Sequence, residues 1–132
     1  MVWKYVKQLS SEKNIESFER LSSFTFPESF KDCIRQHNGG RPKYYVFDTN
    51  RKAGRALKTF LSFNQEDKEN IRSVYECCKI ELQNKYIPFA IDNFGNLICF
   101  NYSNQIIFVN HETFNEEFVA SSFDDFLNFL YI

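Results

Sequence analysis

Residues 26–40 constrain the fold most, because both ends of a short helix are specified within them. Pro27 stands where the first turn of a helix tolerates a missing N–H. Four residues then recur at positions i, i+3, i+4 and i+7, so they share one face of a helix. Gly39 and Gly40 end the helix, because glycine readily adopts the left-handed conformation common at helix C-termini. The spacing predicts an amphipathic helix over residues 25–37, with a shared face formed by Phe30, Cys33, Ile34 and His37.

Helical spacing also occurs near both termini and in the middle of the chain. Apolar residues predict one or two helices within residues 2–22. Asn64 precedes acidic residues and an apolar stripe that continues to Leu82, which predicts a central helix. Ser122, with Asp125 three residues later, predicts the N-cap of a terminal helix.

Short runs rich in β-branched and aromatic residues alternate with turn-forming residues, which is typical of antiparallel strands. Residues 93–96, Asn-Phe-Gly-Asn, predict a hairpin turn between two such runs. Together with the helices, this order predicts a single α+β domain over residues 1–132. The predicted strands span residues 44–47, 56–63, 88–92, 97–100, 105–110 and 118–120.

Composition limits the class of protein. The chain has 132 residues, of which 43% are hydrophobic and 25% charged, so it can form one core and is not a disordered chain. Most of its 16 phenylalanines must be buried, and those left exposed would mark a partner site. No apolar run approaches the roughly 20 residues that a membrane span needs, and the N-terminus lacks the apolar segment of a signal peptide. These features predict a cytoplasmic protein that does not contact a membrane.

Motifs for catalysis, cofactors or metals are absent from the sequence pattern. Four cysteines without a C-x-x-C pair, with only two histidines, predict free thiols and neither a metal site nor a bound cofactor. Gly39 and Gly40 follow a helix and lack the Gly-Lys pair of a phosphate-binding loop. His111 beside Glu112 could suggest acid–base chemistry, but no nucleophile pattern accompanies it. We therefore predict that the protein is not an enzyme.

The net charge of −1 conceals an uneven distribution. All 16 lysines and arginines lie at or before Lys85, whereas residues 86–132 carry six acidic side chains and no basic one. If the second half gathers on one side of the fold, that side is acidic and would steer a basic partner toward it. The alternative, that these acids only keep the surface soluble and cap the last helix, stays open.

A basic stretch with interleaved aromatic residues lies between residues 41 and 58. Base stacking combined with phosphate contacts requires such a mixture. However, Asp48 interrupts the stretch and the whole chain is slightly acidic, so a solvated basic hairpin is favoured over a nucleic-acid site. An edge that contacts a protein partner is the remaining alternative. The basic residues are Arg41, Lys43, Arg51, Lys52, Arg55 and Lys58, and the aromatic ones are Tyr44, Tyr45 and Phe47.

Three segments, in the order and spacing of residues 26–40, 87–100 and 119–127, resemble the SUKH superfamily. This superfamily includes fungal regulators of cell-wall assembly and many bacterial immunity proteins. The resemblance covers residues 20–132 and implies a curved, largely antiparallel sheet of about five to six strands, flanked by N-terminal, central and C-terminal helices. The chain is most similar to the YobK-like bacterial branch, through residues 60–64, Ile71 and Tyr75.

The resemblance also implies a role without an active site. Bacterial members neutralise a toxin encoded beside them, often a nuclease, by one-to-one protein contact. We therefore expect an immunity protein whose partner is a cognate toxin with a basic nuclease domain. Two alternatives stay open, a cytoplasmic regulatory adaptor without a toxin partner and a nucleic-acid-binding module. Whether the protein is a monomer or a weak dimer also stays open.

The predicted partner-binding residues are acidic and aromatic side chains around the strand ends. The acids would accelerate encounter with a basic toxin, and the aromatic residues would supply most of the affinity. For Phe94 two interpretations stay open, since it either contacts a partner or folds back over the sheet. The predicted set is Asp92, Phe94, Tyr102, Glu112, Phe114, Glu116 and Glu117.

Overall fold

Six antiparallel strands form one meander whose spatial order is the order of the chain, and a separate two-stranded ribbon involves the N-terminus. The computed structural model describes residues 1–132. It confirms the predicted α+β fold, and all six predicted strands form, with bounds that differ by at most three residues. The elements are β1 Trp3–Lys4, α1 Lys13–Ser22, α2 Glu28–His37, β2 Arg41–Pro42, β3 Val46–Phe47, β4 Arg55–Phe60, α3 Ile71–Cys78, β5 Tyr86–Asp92, β6 Leu97–Asn101, β7 Ile106–Val109, β8 Glu116–Ala120 and α4 Phe123–Phe129.

The sheet curls until its first and last strands nearly meet. Irregular register in the β4–β5, β5–β6 and β7–β8 pairs bends the strands, as β-bulges do. At the free edge of β3, two backbone hydrogen bonds of 2.8 and 2.9 Å join Val46 to Tyr131. At the edge of β8, the Asn50 N–H donates to the Phe118 carbonyl at 2.9 Å, and Asn50 Oδ1 accepts from the Phe118 N–H at 2.9 Å. Both edges are therefore partly covered, which limits non-specific strand pairing.

Aromatic side chains fill the inner face of the sheet. Twelve of the 16 phenylalanines are buried, which confirms the expectation that most of them form the core. Phe30 of α2 is fully buried and meets Phe89, Phe100 and Phe123 edge-on, at ring-centroid distances of 5.5, 5.1 and 5.1 Å. Edge-to-face contact is a favoured aromatic geometry, so these rings anchor α2 on the sheet. The four phenylalanines outside the buried core are Phe94, Phe114, Phe118 and Phe129.

The outer face of β6 and β7 has a smaller hydrophobic cluster of its own. Successive residues of a strand point to opposite faces, so the neighbours of the core residues Ile98, Phe100 and Phe108 lie on this outer face. The turns after α3 supply one side chain to the cluster and cover part of it. The cluster consists of Leu82, Leu97, Cys99, Ile107 and Val109.

Helix α2 and the start of α4 agree with the sequence predictions. The three apolar residues predicted on the buried face of α2 are buried, and the helix ends at His37. His37 itself is half-buried and stacks on Trp3, with ring centroids 4.8 Å apart. Ser122 Oγ accepts a hydrogen bond from the Asp125 N–H at 3.1 Å, so the predicted N-cap of α4 is confirmed.

The predicted N-terminal helix is wrong over its first part. α1 begins only at Lys13, whereas Trp3 and Lys4 form β1 and pair with β2. Trp3 also packs edge-on against Phe60, with ring centroids 5.1 Å apart. A short helix is marginal by itself, so strand pairing and aromatic packing outweigh the local spacing.

The central helix begins later than predicted. Its N-cap is Asn70, whose Oδ1 accepts a hydrogen bond from the Ser73 N–H at 2.9 Å, and the helix ends at Cys78. Asn64, the predicted cap, is buried, and its Oδ1 accepts a hydrogen bond from the Ser10 N–H at 2.9 Å. Asn64, which its local sequence predicts as a helix N-cap, therefore joins two segments that lie far apart in the chain.

Candidate partner-binding surface

The turn between β5 and β6 presents an exposed aromatic side chain. Asp92 is buried at the end of β5, and its Oδ1 accepts hydrogen bonds from the N–H groups of Phe94 and Asn96 at 2.9 and 2.8 Å. Gly95 has a φ of +84°, a conformation that glycine adopts without strain. Asp92 therefore fixes the turn, and Phe94 is 79% exposed rather than folded back over the sheet.

The loop between β7 and β8 lies against this turn. Asn110 Oδ1 accepts a hydrogen bond from the Glu112 N–H at 2.8 Å, which orders the loop. The His111 N–H donates to Asn96 Oδ1 at 3.0 Å, and a Cβ on Gly95 would lie 3.8 Å from the His111 ring. We call residues 92–97 and 110–115 together the hairpin end. It brings together four of the predicted partner-binding residues, Asp92, Phe94, Glu112 and Phe114.

An open apolar groove of about 520 Å³ lies between α3 and the hairpin end. Phe114 is half-buried against the outer-face cluster and lines the groove from the β7–β8 loop. Val74 and Cys78 line it from α3, and Ile91 and Leu97 line it from the sheet. This groove can receive an apolar side chain of a partner.

A second, polar groove of about 470 Å³ lies beside the same turn. Asn93 lines the polar groove and Gly95 lines the apolar one, so the turn that carries Phe94 borders both grooves. The remaining residues of the polar groove come from the N-terminal segment, from the chain between the end of α2 and the start of β2, from β4 and from the loop before α3. Its basic residues are Lys7, Arg41, Lys58 and Lys68.

A family model described as SMI1 / KNR4 family (SUKH-1) matches residues 9–128, which include the hairpin end and every element except β1 and the last residue of α4. This chain belongs to the SUKH-1 family. The predicted superfamily is therefore confirmed, while the YobK-like branch stays a prediction. No curated protein matches the sequence.

The two glutamates at the start of β8 of this SUKH-1 domain differ in availability. Glu117 is half-buried, forms an ion pair with Arg55 at 2.9 Å and accepts a hydrogen bond from the Thr49 hydroxyl at 2.6 Å. Burial by itself would raise the pKa of Glu117, but the bonds from Arg55 and Thr49 outweigh it and hold the pKa below its ordinary value. Glu116 is exposed and accepts a hydrogen bond from the Tyr86 hydroxyl. Glu117 thus joins β8 to the β3–β4 segment, and a partner can reach only Glu116 readily.

Tyr102 lies apart from the other predicted residues. It belongs to the turn between β6 and β7, at the opposite end of β6 from Phe94. Its hydroxyl donates to the Ser22 carbonyl at 3.1 Å, and its ring meets Phe24 edge-on at 5.3 Å. The fold therefore does not bring Tyr102 to the hairpin end.

The acidic residues of the second half do not gather on one side of the SUKH-1 domain. Asp92 is buried in its turn, and Glu117 is neutralised by its ion pair. Glu112 follows one end of β7, whereas Asp124 and Asp125 begin α4 beyond the other end. The second half of the chain therefore does not form a single acidic side, because the meander distributes these residues between both ends of the sheet.

The basic stretch is divided as well. Arg55 lies over the Phe108 ring, with its guanidinium carbon 3.9 Å from the ring centre, in addition to its ion pair. Lys58 pairs with Glu69 at 2.6 Å, while Arg51 is exposed in the β3–β4 loop. Arg55, Lys58 and Arg51 therefore have different surroundings, and the solvated basic hairpin stays a prediction.

Several groove residues are not evident from sequence spacing. Tyr5 and Lys7 line the polar groove, although apolar spacing assigns their segment to a helix. Only residues 3–5, Trp-Lys-Tyr, alternate between large apolar and charged side chains, and this run is too short to indicate a strand by itself. Val74 and Cys78 belong to a helical stripe that predicts burial, yet both remain half-buried at the rim of a groove.

Two thiols of the SUKH-1 domain, Cys33 and Cys78, are poorly suited to nucleophilic chemistry. Burial raises the pKa of Cys33 to about 12, and burial followed by the neighbouring Cys77 raises the pKa of Cys78 to about 11. A nucleophilic cysteine needs a lowered pKa, so neither thiol is activated.

No group of three or more His, Cys, Asp or Glu side chains is placed to hold a metal ion. None of the four helices has the length and apolar character required to cross a membrane.

Proposed function

We propose that this protein is an immunity protein that binds a cognate toxin through the hairpin end and neutralises it by direct contact. The observation that carries the proposal is Phe94, a side chain 79% exposed on a turn held by Asp92. Large aromatic side chains supply much of the binding energy at interfaces, and a rigid support lowers the entropy lost on binding. Membership of the SUKH-1 family is consistent with this role.

In the proposed complex, Phe94 inserts into a pocket of the toxin. The apolar groove on the Gly95 side receives an apolar side chain next to that pocket, and the polar groove on the Asn93 side receives a polar one. This arrangement has the aromatic centre and the polar surroundings of a typical specific interface.

We propose a basic nuclease domain as the toxin, because a nuclease must bind a polyanion. Glu112 and Glu116 are exposed at or beside the hairpin end and would accelerate encounter with such a domain. Their replacement by lysine is expected to slow association and to reduce its dependence on salt. Glu117 does not suit this test, because its replacement would also break the ion pair with Arg55.

Neutralisation of this kind requires no catalysis by the immunity protein. Stoichiometric binding that covers the active site or the substrate path of the toxin is sufficient. We therefore infer that the protein is not an enzyme, needs no cofactor and acts in the cytoplasm.

Calorimetric titration against a catalytically disabled toxin domain, encoded by the neighbouring toxin-like gene, tests the proposal. We expect one-to-one binding with a nanomolar Kd, which corresponds to about −12 kcal/mol. Absence of binding at micromolar concentrations would contradict that toxin as the partner. A pull-down from the native cytoplasm would then distinguish an orphan immunity protein, which captures another toxin, from a regulatory adaptor, which captures none.

A further inference from the structure

The polar groove carries positive charge that the chain itself does not neutralise. Of its four basic residues only Lys58 forms an ion pair, with Glu69. The other carboxylate of the groove, Asp67, accepts hydrogen bonds from the Ser62 hydroxyl at 2.6 Å and from the Asn64 amide at 3.2 Å. The cations without an acidic partner are Lys7, Arg41 and Lys68.

Arg41 is held in a defined position by two aromatic rings. Its guanidinium carbon lies 4.5 Å from the ring centre of Tyr45 and 5.5 Å from that of Tyr5. Its Nε is the one buried side-chain nitrogen or oxygen of the chain without a hydrogen-bond partner. Buried donors are normally satisfied, and a stacked guanidinium keeps its planar set of donors oriented. Arg41 is therefore an oriented cation, and the chain leaves its Nε–H donor without an acceptor.

The residues at the floor of the polar groove are closely packed and hydrogen-bonded to one another. A Cβ on Gly39 would lie 3.1 Å from Lys7 Cγ, and the Thr59 hydroxyl donates to the Gly39 carbonyl at 2.9 Å. The Lys7 N–H donates to the Asn38 carbonyl at 2.7 Å, and Asn38 Nδ2 donates to the Lys7 carbonyl at 2.7 Å. These contacts join the N-terminal segment to the end of α2 and to β4, so ordered backbone presents the cations.

We infer that the polar groove binds the carboxylate of an acidic side chain of the partner, beside the Phe94 anchor. This inference rests on the proposed function, because it takes the partner to be a protein. A guanidinium binds a carboxylate by paired hydrogen bonds, and Lys7 and Lys68 add attraction. A nucleic acid is disfavoured, since a chain of phosphates would have to pass Asp67 and Glu69. The toxin, although basic overall, is thus expected to carry an aspartate or glutamate next to the pocket for Phe94.

Nuclear magnetic resonance of the full chain tests this inference without any toxin. An acetylated and amidated Gly-Glu-Gly peptide, which carries a single carboxylate, is titrated while the arginine Nε–Hε signals and the backbone amide signals are followed. We expect the Arg41 signal and the amide signals of Gly39 and Thr59 to shift, and the Arg51 signal to stay in place. Failure of toxin binding in the calorimetric test would leave this result unaffected, so the two proposals fail separately.

Matched variants separate the groove from general basic charge. The double variant Lys7→Gln/Lys68→Gln leaves the stacked Arg41 intact and should weaken peptide binding about tenfold. The control Arg51→Gln/Lys52→Gln removes the same charge from the exposed β3–β4 loop and should leave the affinity unchanged. An unmoved Arg41 signal or an equal loss in the control would overturn the inference. So would tighter binding of inorganic phosphate or oligothymidylate than of the peptide at equal ionic strength.

Discussion

Two turns of the sheet are built in the same way. In the β5–β6 turn, Asp92 Oδ1 accepts hydrogen bonds from the N–H groups two and four positions later. In the β6–β7 turn, Asn101 Oδ1 does the same, at 3.0 and 2.9 Å. The residue three positions on has a positive φ in both turns, +84° at Gly95 and +62° at Asn104. The local hydrogen-bond pattern of the two turns is therefore nearly identical, although the acceptor is a carboxylate in one and an amide in the other.

The aromatic side chains of the two turns have different surroundings. Tyr102 is tied to the end of α1 and to the segment after it, through the Ser22 carbonyl and the Phe24 ring. Phe94 belongs to a turn that borders two open grooves and is 79% exposed, against 48% for Tyr102. A turn thus determines where an aromatic residue stands, while the elements packed beside the turn determine whether it is available to a partner.

The two turns are expected to differ most at their first residue, whose side chain accepts the hydrogen bonds of the turn. Asp92→Ala is expected to lower the free energy of unfolding by about 3 kcal/mol, because a buried charged acceptor of three hydrogen bonds is lost. Asn101→Ala should cost only about 1 kcal/mol, because its acceptor is neutral and half-buried. Urea denaturation followed by circular dichroism measures both. Equal losses would contradict the distinction between the two turns.

The second prediction concerns binding by the two aromatic residues. Phe94→Ala should weaken toxin binding about 100-fold, because an anchor side chain is removed from the interface. Its free energy of unfolding should change by less than about 0.5 kcal/mol, since the side chain is mostly exposed. Tyr102→Ala is the matched control, and it should lower stability and leave the affinity unchanged. A loss of affinity in the control alone would place the interface at the other end of the sheet.

The third prediction concerns the left-handed residues of the turns. Gly95→Ala should cost about 1 to 2 kcal/mol, because an alanine at a φ of +84° is strained. Asn104→Gly should change the stability by less than about 0.5 kcal/mol, because asparagine tolerates this conformation and glycine adds chain entropy. Thermal and urea unfolding of the two variants provide the measurement. A neutral Gly95→Ala would show that the β5–β6 turn adopts another conformation in solution.

The fourth prediction concerns the hydroxyl group of Tyr102 alone, and its expected effect is smaller. Tyr102→Phe should lower the free energy of unfolding by about 1 kcal/mol, the usual contribution of one hydrogen bond, here the bond to the Ser22 carbonyl. The ring contact with Phe24 is kept in this variant. Unchanged stability in urea denaturation would mean that a water molecule donates to the Ser22 carbonyl in place of the Tyr102 hydroxyl at no cost.

The smallest effect is a dependence on pH. Burial, followed by the charge of Tyr75, raises the pKa of Tyr102 above its ordinary value. The folded state therefore holds this proton more tightly, so its stabilising contribution is complete below pH about 10 and is lost as the pH rises through the folded pKa. Tyr102→Phe should lose less stability above pH about 10 than the parent chain. Parallel pH profiles would contradict this.

Much of the fold follows from local patterns, and the residues show why. The face of α2, the Ser122 cap and the turn after Asp92 depend on neighbours in the chain, so spacing and residue type predict them. Trp3 and Asn64 are wrongly predicted, because their partners lie far away in the chain. Of the seven predicted partner-binding residues, the hairpin end brings together the four in the β5–β6 turn and the β7–β8 loop.

The sequence by itself determined the order of the strands, most of the helices, the family and the position of Phe94 in a turn, because short-range hydrogen bonds and periodic burial are encoded locally. Only the tertiary structure decided which charges remain free. Arg55 neutralises Glu117 from a strand that the curled sheet brings close, while Arg41 is left between two tyrosines without a carboxylate. Pairing of charges depends on distances between segments far apart in the chain, and those distances exist only after the sheet has closed.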